Sequence, residues 1–199
     1  MTFTTLLSPQ TSLLVVIDLQ GKLMDMVHRP QLVKQATIRL LQLAELFEVP
    51  VILTEQYPQG LGTTHEDVRA AFDGLSVPKR FVEKLSFGCC GDAGFEQAVN
   101  ELRPGVAASS LQLITAGIET HVCVMQTVLA SLALGRQVHV CWEAVSGRGE
   151  EYRRHGLERM QQAGAVITNH ESVCFEWARS KEHPQFKAMN QILREGQLH

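Results

Sequence analysis

Short apolar runs alternate with segments of helical period along the chain, and this alternation constrains the fold more than any other feature of the sequence. Runs of four to six residues at Leu13 to Asp18, Val51 to Thr54, Leu111 to Ala116, Val138 to Trp142 and Ala165 to Thr168 read as strands, with Arg80 to Lys84 a sixth candidate. Between them, Gln31 to Phe47 places Leu32, Ala36, Leu40, Leu43 and Phe47 near one face and stops before Pro50, which cannot continue a helix. Ala93 to Leu102, Thr120 to Leu134 and Glu150 to Ala163 are further helices, the last two followed by Gly135 and Gly164, where helices commonly exit. Ser172 to Glu195 adds two shorter ones. Strands separated by helices are the pattern of βαβ units and a parallel sheet. Right-handed crossovers put helices on both faces, so the expected fold class is α/β, a three-layer α/β/α sandwich around a mostly parallel, Rossmann-like six-stranded sheet.

No repeat, linker or low-complexity stretch divides the 199 residues, and residues 1–199 are expected to form one domain. A hydrophobic fraction of 45% with 20% charged residues excludes disordered and fibrous classes. A net charge of −3 without a Lys/Arg cluster offers no field to gather polyanions, so nucleic acid is not expected as a partner. No apolar run approaches the roughly 18 residues of a membrane span. The opening MTFTTLLSPQTSLLVVIDLQ also lacks the basic flank and small-residue cleavage site of a secretory signal, so a cytoplasmic protein with no membrane partner is expected. Five cysteines, an odd number without framework spacing, read as free thiols. Cys89 and Cys90 form a vicinal pair outside any C-x-x-C motif, whereas Cys141 and Cys174 sit in apolar stretches and read as core filling.

In an open parallel sheet, ligands bind at the carboxyl ends of the strands. Three residues of complementary chemistry fall there. Asp18 ends the run in VVIDLQ, Lys84 follows another in FVEKLSFG, and Cys123 lies about one turn into the helix that begins after LQLITA, in GIETHVCV. Singly, each has a plain reading: a carboxylate capping a turn, a solvated lysine, a thiol filling space. Together they can supply base, electrostatic support and nucleophile. A helix start favours the thiolate, so Cys123 is expected to be the most rapidly alkylated cysteine. The stretch from Glu55 to Arg80 begins with turn residues and only later turns helical, which suits either a binding-site wall or a plain surface loop. A dinucleotide-binding reading fails, because no G-x-G-x-x-G follows VVIDLQ and GCCGDAG has the wrong spacing.

VVIDLQ, EKLSFG and GIETHVCV, in this order, resemble the isochorismatase-like cysteine hydrolases over nearly the whole chain. VPVILTEQYPQGLG and HPQFKAMNQIL are most similar to the poorly characterised isochorismatase-domain-containing branch. The resemblance implies an Asp-Lys-Cys triad of Asp18, Lys84 and Cys123, with Gln20 as a supporting polar residue. Cys123 would attack an amide-like or related C–N or ester carbon of a small-molecule substrate and form a covalent thio-intermediate that water hydrolyses. It further implies a cis peptide at Ile118-Glu119, an oxyanion hole from the N–H groups of Glu119 and Cys123, and a homo-oligomer. Nicotinamidases in the family carry metal-binding carboxylate and histidine residues where this chain reads Thr54-Glu55-Gln56-Tyr57-Pro58, so neither a metal nor a cofactor is expected. His65 and the other seven histidines show no zinc-site spacing. Gln56, Tyr57, Gly60 and Leu61 would line the pocket instead, suited to an uncharged or partly aromatic substrate. Isochorismatase itself cleaves a vinyl ether without the cysteine, so Cys123 favours amide-type chemistry. The alternative is a catalytically silent binding or assembly module.

Overall fold

A computed structural model describes residues 5–195; the first four residues of the opening stretch read above lie outside the described residues. Strands β1 (Ser12–Ile17), β2 (Val51–Gln56), β3 (Lys79–Lys84), β4 (Gln112–Ile118), β5 (Gln137–Ser146) and β6 (Val166–Thr168) form one sheet in the order β3-β2-β1-β4-β5-β6. Every pairing is parallel. The six strands include Arg80 to Lys84, and the α/β sandwich expected from the sequence is the fold found. The chain winds outward from β1 in one direction to β3, then returns to β4 and winds the other way. The direction therefore reverses between β1 and β4, which is where such sheets open a crevice.

The layers follow from period two in the strands. Leu14 and Val16 of β1, with Val51 and Leu53 of β2, face one hydrophobic cluster, while Leu13, Val15, Ile17 and Ile52 face another. The first cluster is closed by α2 (Pro30–Leu46), α4 (Glu66–Asp73), α8 (His170–Ala178) and α9 (Phe186–Arg194). α5 (Ala93–Leu102), α6 (Met125–Ala133) and α7 (Glu150–Gln162) close the second through Phe95, Val99, Val128 and Met160. Fully burying one such side chain is worth about 1.5 to 3 kcal/mol, which is why both stripes are continuous. Cys141 and Cys174 are fully buried in the first cluster, as core filling requires.

Boundaries differ where single turns and strand ends lack a periodic signal. β2 runs two residues past Thr54, and β5 runs to Ser146. Two one-turn helices, α1 (Gly21–Met24) and α3 (Pro58–Leu61), are too short to show a repeat. The expected helix from Thr120 to Leu134 begins instead as a π-helical turn, Thr120–Val124, before the regular α6.

Candidate active site

Each of the three chemistry-bearing residues is delivered by the end of a strand. Asp18 follows β1 directly and adopts a left-handed backbone conformation, φ 51°, which a short polar side chain tolerates better than most. Its N–H donates to the Thr54 carbonyl at 3.2 Å, which ties the turn to β2. Lys84 is the last residue of β3 and is buried. Cys123 lies within the π-helical turn after β4, a geometry often found at functional sites. Gly117 lets β4 come close to β1 at the sheet's reversal point. Its φ is 136°, and a Cβ there would lie 2.1 Å from the Ile17 carbonyl oxygen. The Ile118–Glu119 peptide that follows is cis.

The three side chains converge on the Asp18 carboxylate. Lys84 Nζ donates to Asp18 Oδ2 at 2.6 Å, and both side chains are essentially inaccessible to solvent, at 0% and 1%. The same ammonium donates to the carbonyls of Ser86 at 3.0 Å and Phe87 at 2.8 Å, which uses its three protons. Thr54 Oγ1 donates to Asp18 Oδ1 at 2.7 Å. The Cys123 thiol and this carboxylate lie close enough to act on each other's titration. Burial raises the Asp18 carboxyl above its ordinary range, against the downward pull of Lys84, Thr54 and Cys123.

Burial and the facing Asp18 carboxylate push the Cys123 thiol up to about 12, despite Lys84. The thiolate expected from a helix start is therefore corrected: desolvation and a like charge outweigh the helix end, and the resting group is a thiol poised on a base. Cys89 and Cys174 are also pushed up to about 12 by burial, and Cys90 is raised. Cys90 is only partly buried, so simple alkylation has no reason to select Cys123.

Gln20 serves the site from a distance. Its buried amide accepts from the Gln56 N–H at 2.8 Å and donates to the carbonyls of Gln56 at 3.0 Å and Gly62 at 2.5 Å. It thereby pins the segment after β2 onto the start of α1, helped by Gly21 N–H to Thr63 O at 2.9 Å and His65 N–H to Leu19 O at 2.8 Å. The expected wall residues lie on this pinned segment. The Tyr57 N–H donates to the Lys84 carbonyl at 2.9 Å, and Gln56 Nε2 donates to the Leu85 carbonyl at 3.1 Å, so both border the strand end that carries Lys84. Tyr57 folds its ring over Gly60, where a Cβ would come within 2.2 Å of the ring. Leu61 closes α3 beside them.

Three further residues belong to this site and carry no sequence signal. Thr54 orients Asp18. Thr127 accepts from the Cys89 N–H at 2.9 Å and donates to the Cys123 carbonyl at 2.7 Å. Buried Glu55 accepts from the N–H and hydroxyl of Thr64, both at 2.7 Å. Among the described residues no group of three or more His, Cys, Asp or Glu side chains is arranged to hold a metal ion. Nor is any helix among them long and apolar enough to cross a membrane.

The isochorismatase domain family matches residues 12–172, which span all six strands and the three converging side chains. The chain belongs to the isochorismatase family. It is 37% identical to mouse (Mus musculus) isochorismatase domain-containing protein 2B over 188 residues, 94% of this chain and 83% of that one. Among solved structures it is similar to the MAR1 ribonuclease of Caenorhabditis elegans, with a TM-score of 0.85 and 31% identity over 95% of this chain and 92% of that one. It is also similar to YcaC from Pseudomonas aeruginosa, solved with hexane-2,5-diol and covalent acrylamide, with a TM-score of 0.85 and 26% identity over 97% and 92% of the two chains. This isochorismatase-family fold supports hydrolysis as the general class of reaction.

Proposed function

We propose that this isochorismatase-family chain is a cysteine hydrolase of a small amide-like substrate, or a related C–N or ester compound, with Asp18, Lys84 and Cys123 as its triad. The observation that carries the reading is a buried carboxylate, held by an ammonium at 2.6 Å, that acts on a buried thiol beside it. As Cys123 Sγ attacks the carbonyl carbon, Asp18 takes the thiol proton, so no free thiolate need be populated at rest. Negative charge then develops on the carbonyl oxygen, where the N–H groups of Cys123 and Glu119 are the proposed donors. Asp18 returns the proton to the leaving nitrogen, and the C–N bond breaks to leave an acyl thioester on Cys123. A water that gives its proton to Asp18 then attacks the thioester and regenerates the thiol. Lys84 keeps its charge throughout and stabilises the carboxylate form of Asp18. Gln56, Tyr57, Gly60 and Leu61 form the proposed wall of the substrate site, and a homo-oligomer is the proposed assembly.

The covalent acrylamide in the P. aeruginosa structure supports amide-sized compounds as the first to test. The ribonuclease name of the C. elegans relative supplies a second arm, although the net charge of −3 and the full commitment of the Lys84 protons do not favour a polyanion here. The test is a panel of amides, carbamoyl compounds and esters, with a short RNA alongside, followed by product formation and intact mass. The expected result is turnover of an amide, carbamoyl compound or ester, with a transient acyl adduct on the wild-type protein and none on Cys123→Ala. Turnover of RNA alone, or of nothing by a protein whose Cys123 takes up no acyl group, would overturn the reading. Activity is expected to survive EDTA, because Glu55 is committed to Thr64 and His65 Nδ1 accepts from the Asp67 N–H at 3.3 Å. Loss of turnover on chelation, restored by zinc, would show that a metal takes part.

A further inference from the structure

The proposed mechanism uses one of two cysteines that meet the Asp18–Thr54 pair. The Cys123 thiol and the Asp18 carboxylate act on each other, and Thr54 Oγ1 donates to that carboxylate at 2.7 Å. Cys89 Sγ lies 4.0 Å from this same Thr54 hydroxyl and is fully buried. The main chains of the two cysteines are also bridged by a single atom. Thr127 Oγ1 accepts from the Cys89 N–H at 2.9 Å and donates to the Cys123 carbonyl at 2.7 Å, so that nitrogen and that oxygen are no more than two hydrogen bonds apart. Lys84 and Asp18 act electrostatically on both sulfurs, and Cys89 acts directly on Cys123. Cys89 opens a short turn, Cys89–Gly91, between Gly88 and Gly91, after the exposed residues Leu85 and Phe87. Packing alone would be met by an alanine or valine at position 89; a second thiol on the same hydroxyl adds a chemical possibility.

We propose that Cys89 is a resolving thiol for Cys123, so that a hydroperoxide converts the pair reversibly into a Cys89–Cys123 disulfide. In the first step Cys123 sulfur attacks the terminal oxygen of the peroxide as Asp18 takes the thiol proton. The O–O bond breaks, Cys123 becomes a sulfenic acid, and the alkoxide or hydroxide that leaves takes a proton to become alcohol or water. In the second step Cys89 sulfur attacks the Cys123 sulfur, the S–O bond breaks, and the departing hydroxide takes the Cys89 proton to leave as water. Two thiols are oxidised and one peroxide is reduced, with no other co-reactant. The disulfide removes the nucleophile from service and shields it from irreversible oxidation to sulfinic acid. A dithiol reductant restores both thiols. The proposal requires Cys123 to be oxidisable, and it does not depend on which substrate the site hydrolyses.

The test treats native protein carrying Cys90→Ser, which makes the assignment at position 89 unambiguous, with graded hydrogen peroxide. Free thiols are then blocked with N-ethylmaleimide and the unreduced protein is digested for mass spectrometry. The expected product is a Cys89–Cys123 linked peptide pair, two hydrogens lighter than the sum of its parts and lost on treatment with dithiothreitol. Adding Cys89→Ser should shift Cys123 to sulfinic acid that dithiothreitol does not reverse, while the circular dichroism melt shows the variant still folded. Recovery of both cysteines as maleimide adducts would overturn the proposal. So would Cys123 sulfinic acid beside a freely alkylated Cys89 in the parent protein. Neither readout uses turnover, so failure to find a hydrolysed substrate leaves this result standing, and the reverse also holds.

Discussion

Both ends of the sheet bury polar side chains and use them in opposite ways. At the amino ends of the strands, Gln112 Oε1 accepts from the Ser8 N–H at 2.8 Å and the Thr11 hydroxyl at 3.0 Å, and its Nε2 donates to the Leu6 carbonyl at 3.2 Å. Trp177 Nε1 donates to Ser12 Oγ at 3.0 Å, and Gln137 Nε2 donates to the Ser109 carbonyl at 2.8 Å. These contacts are made by neutral amides, hydroxyls and an indole that satisfy one another, and the charged groups nearby, Arg103, Arg179 and Glu176, bind backbone atoms of the same segment. At the carboxyl ends, the buried groups are a carboxylate, an ammonium and a thiol, and the backbone turns through a left-handed Asp18 and a π-helical Cys123. Neutral amides can be satisfied completely and then have nothing left to do. Buried charges remain responsive, because a change in any partner shifts the balance between their charged and neutral forms. The amino end is therefore read as a clamp and the carboxyl end as the machine.

Removing the proposed nucleophile is the largest expected break in that contrast. Cys123→Ala should abolish turnover, and Asp18→Asn should lower kcat by about 10²- to 10⁴-fold, the usual worth of a positioned acid–base group. Both should keep the wild-type circular dichroism spectrum. Near wild-type rates for Asp18→Asn would remove the carboxylate from the mechanism.

Next comes the ion pair itself. Sequence reasoning alone expects loss of Lys84 to harm rate far more than stability, but a partner whose side chain is only 1% exposed changes that expectation. Lys84→Met leaves Asp18 buried without a cation, and breaking such a pair costs about 3 to 5 kcal/mol, less whatever protonating the carboxyl recovers. The sign of the pH dependence follows. In the variant, the folded carboxyl is raised further while the unfolded one is ordinary, so the folded state prefers the protonated form. Stability should be greatest in mild acid and fall as pH rises through the folded value. Urea melts across that range check it; a pH-independent loss would mean that Asp18 is not buried as described.

At the clamp the signature should reverse. Gln112→Leu orphans the Ser8 N–H and the Leu6 carbonyl, at a cost of about 1 to 3 kcal/mol. For a chain of this length, each kcal/mol lowers Tm by roughly 2 to 4 °C. The kcat of the variant should stay that of the wild type at a temperature where both are folded. A large fall in kcat would show that the two ends are mechanically coupled.

Much of this was legible in the sequence, for reasons that also mark where legibility stops. Asp18, Lys84 and Cys123 stand out because each follows an apolar run, and a parallel sheet gathers such positions on one edge. The two-residue period of a strand, which the uniformly apolar β1 does not show in its sequence, sends Leu14 and Val16 to one cluster and Leu13 and Ile17 to the other. The raised Cys123 thiol was not legible, because desolvation depends on what covers a group and position in a helix does not report it. Gln20 could be placed beside Asp18, but its clamp on Gln56 and Gly62 joins residues 36 and 42 positions away, beyond any local pattern. The π-helical turn differs from an α-helix by one residue per turn over five residues, too short a span for period to separate them. Thr54 and Thr127 look like ordinary β-branched and helical residues, and only the fold reveals what their hydroxyls face.

Thr54 yields the smallest effect and the most specific one. Its hydroxyl donates at 2.7 Å to the Asp18 oxygen that Lys84 does not contact, so it stabilises the carboxylate form alone. Thr54→Val keeps the shape and removes the donor. A hydrogen bond to a charged group is worth about 1.5 to 3 kcal/mol, and 1.36 kcal/mol corresponds to one pKa unit, so the carboxyl should rise by roughly one to two units. In the proposed mechanism Asp18 must be ionised to accept the thiol proton, and burial already raises it, so the acid limb of kcat/KM should lie above the value near 3.9 of an ordinary aspartate. In Thr54→Val that limb should move to still higher pH by the same one to two units, while the rate on the plateau changes little. Gln112→Leu should leave the limb where it is. A Thr54→Val profile that superimposes on the wild type would mean that another group sets the limb, and Asp18 would lose its place as the base.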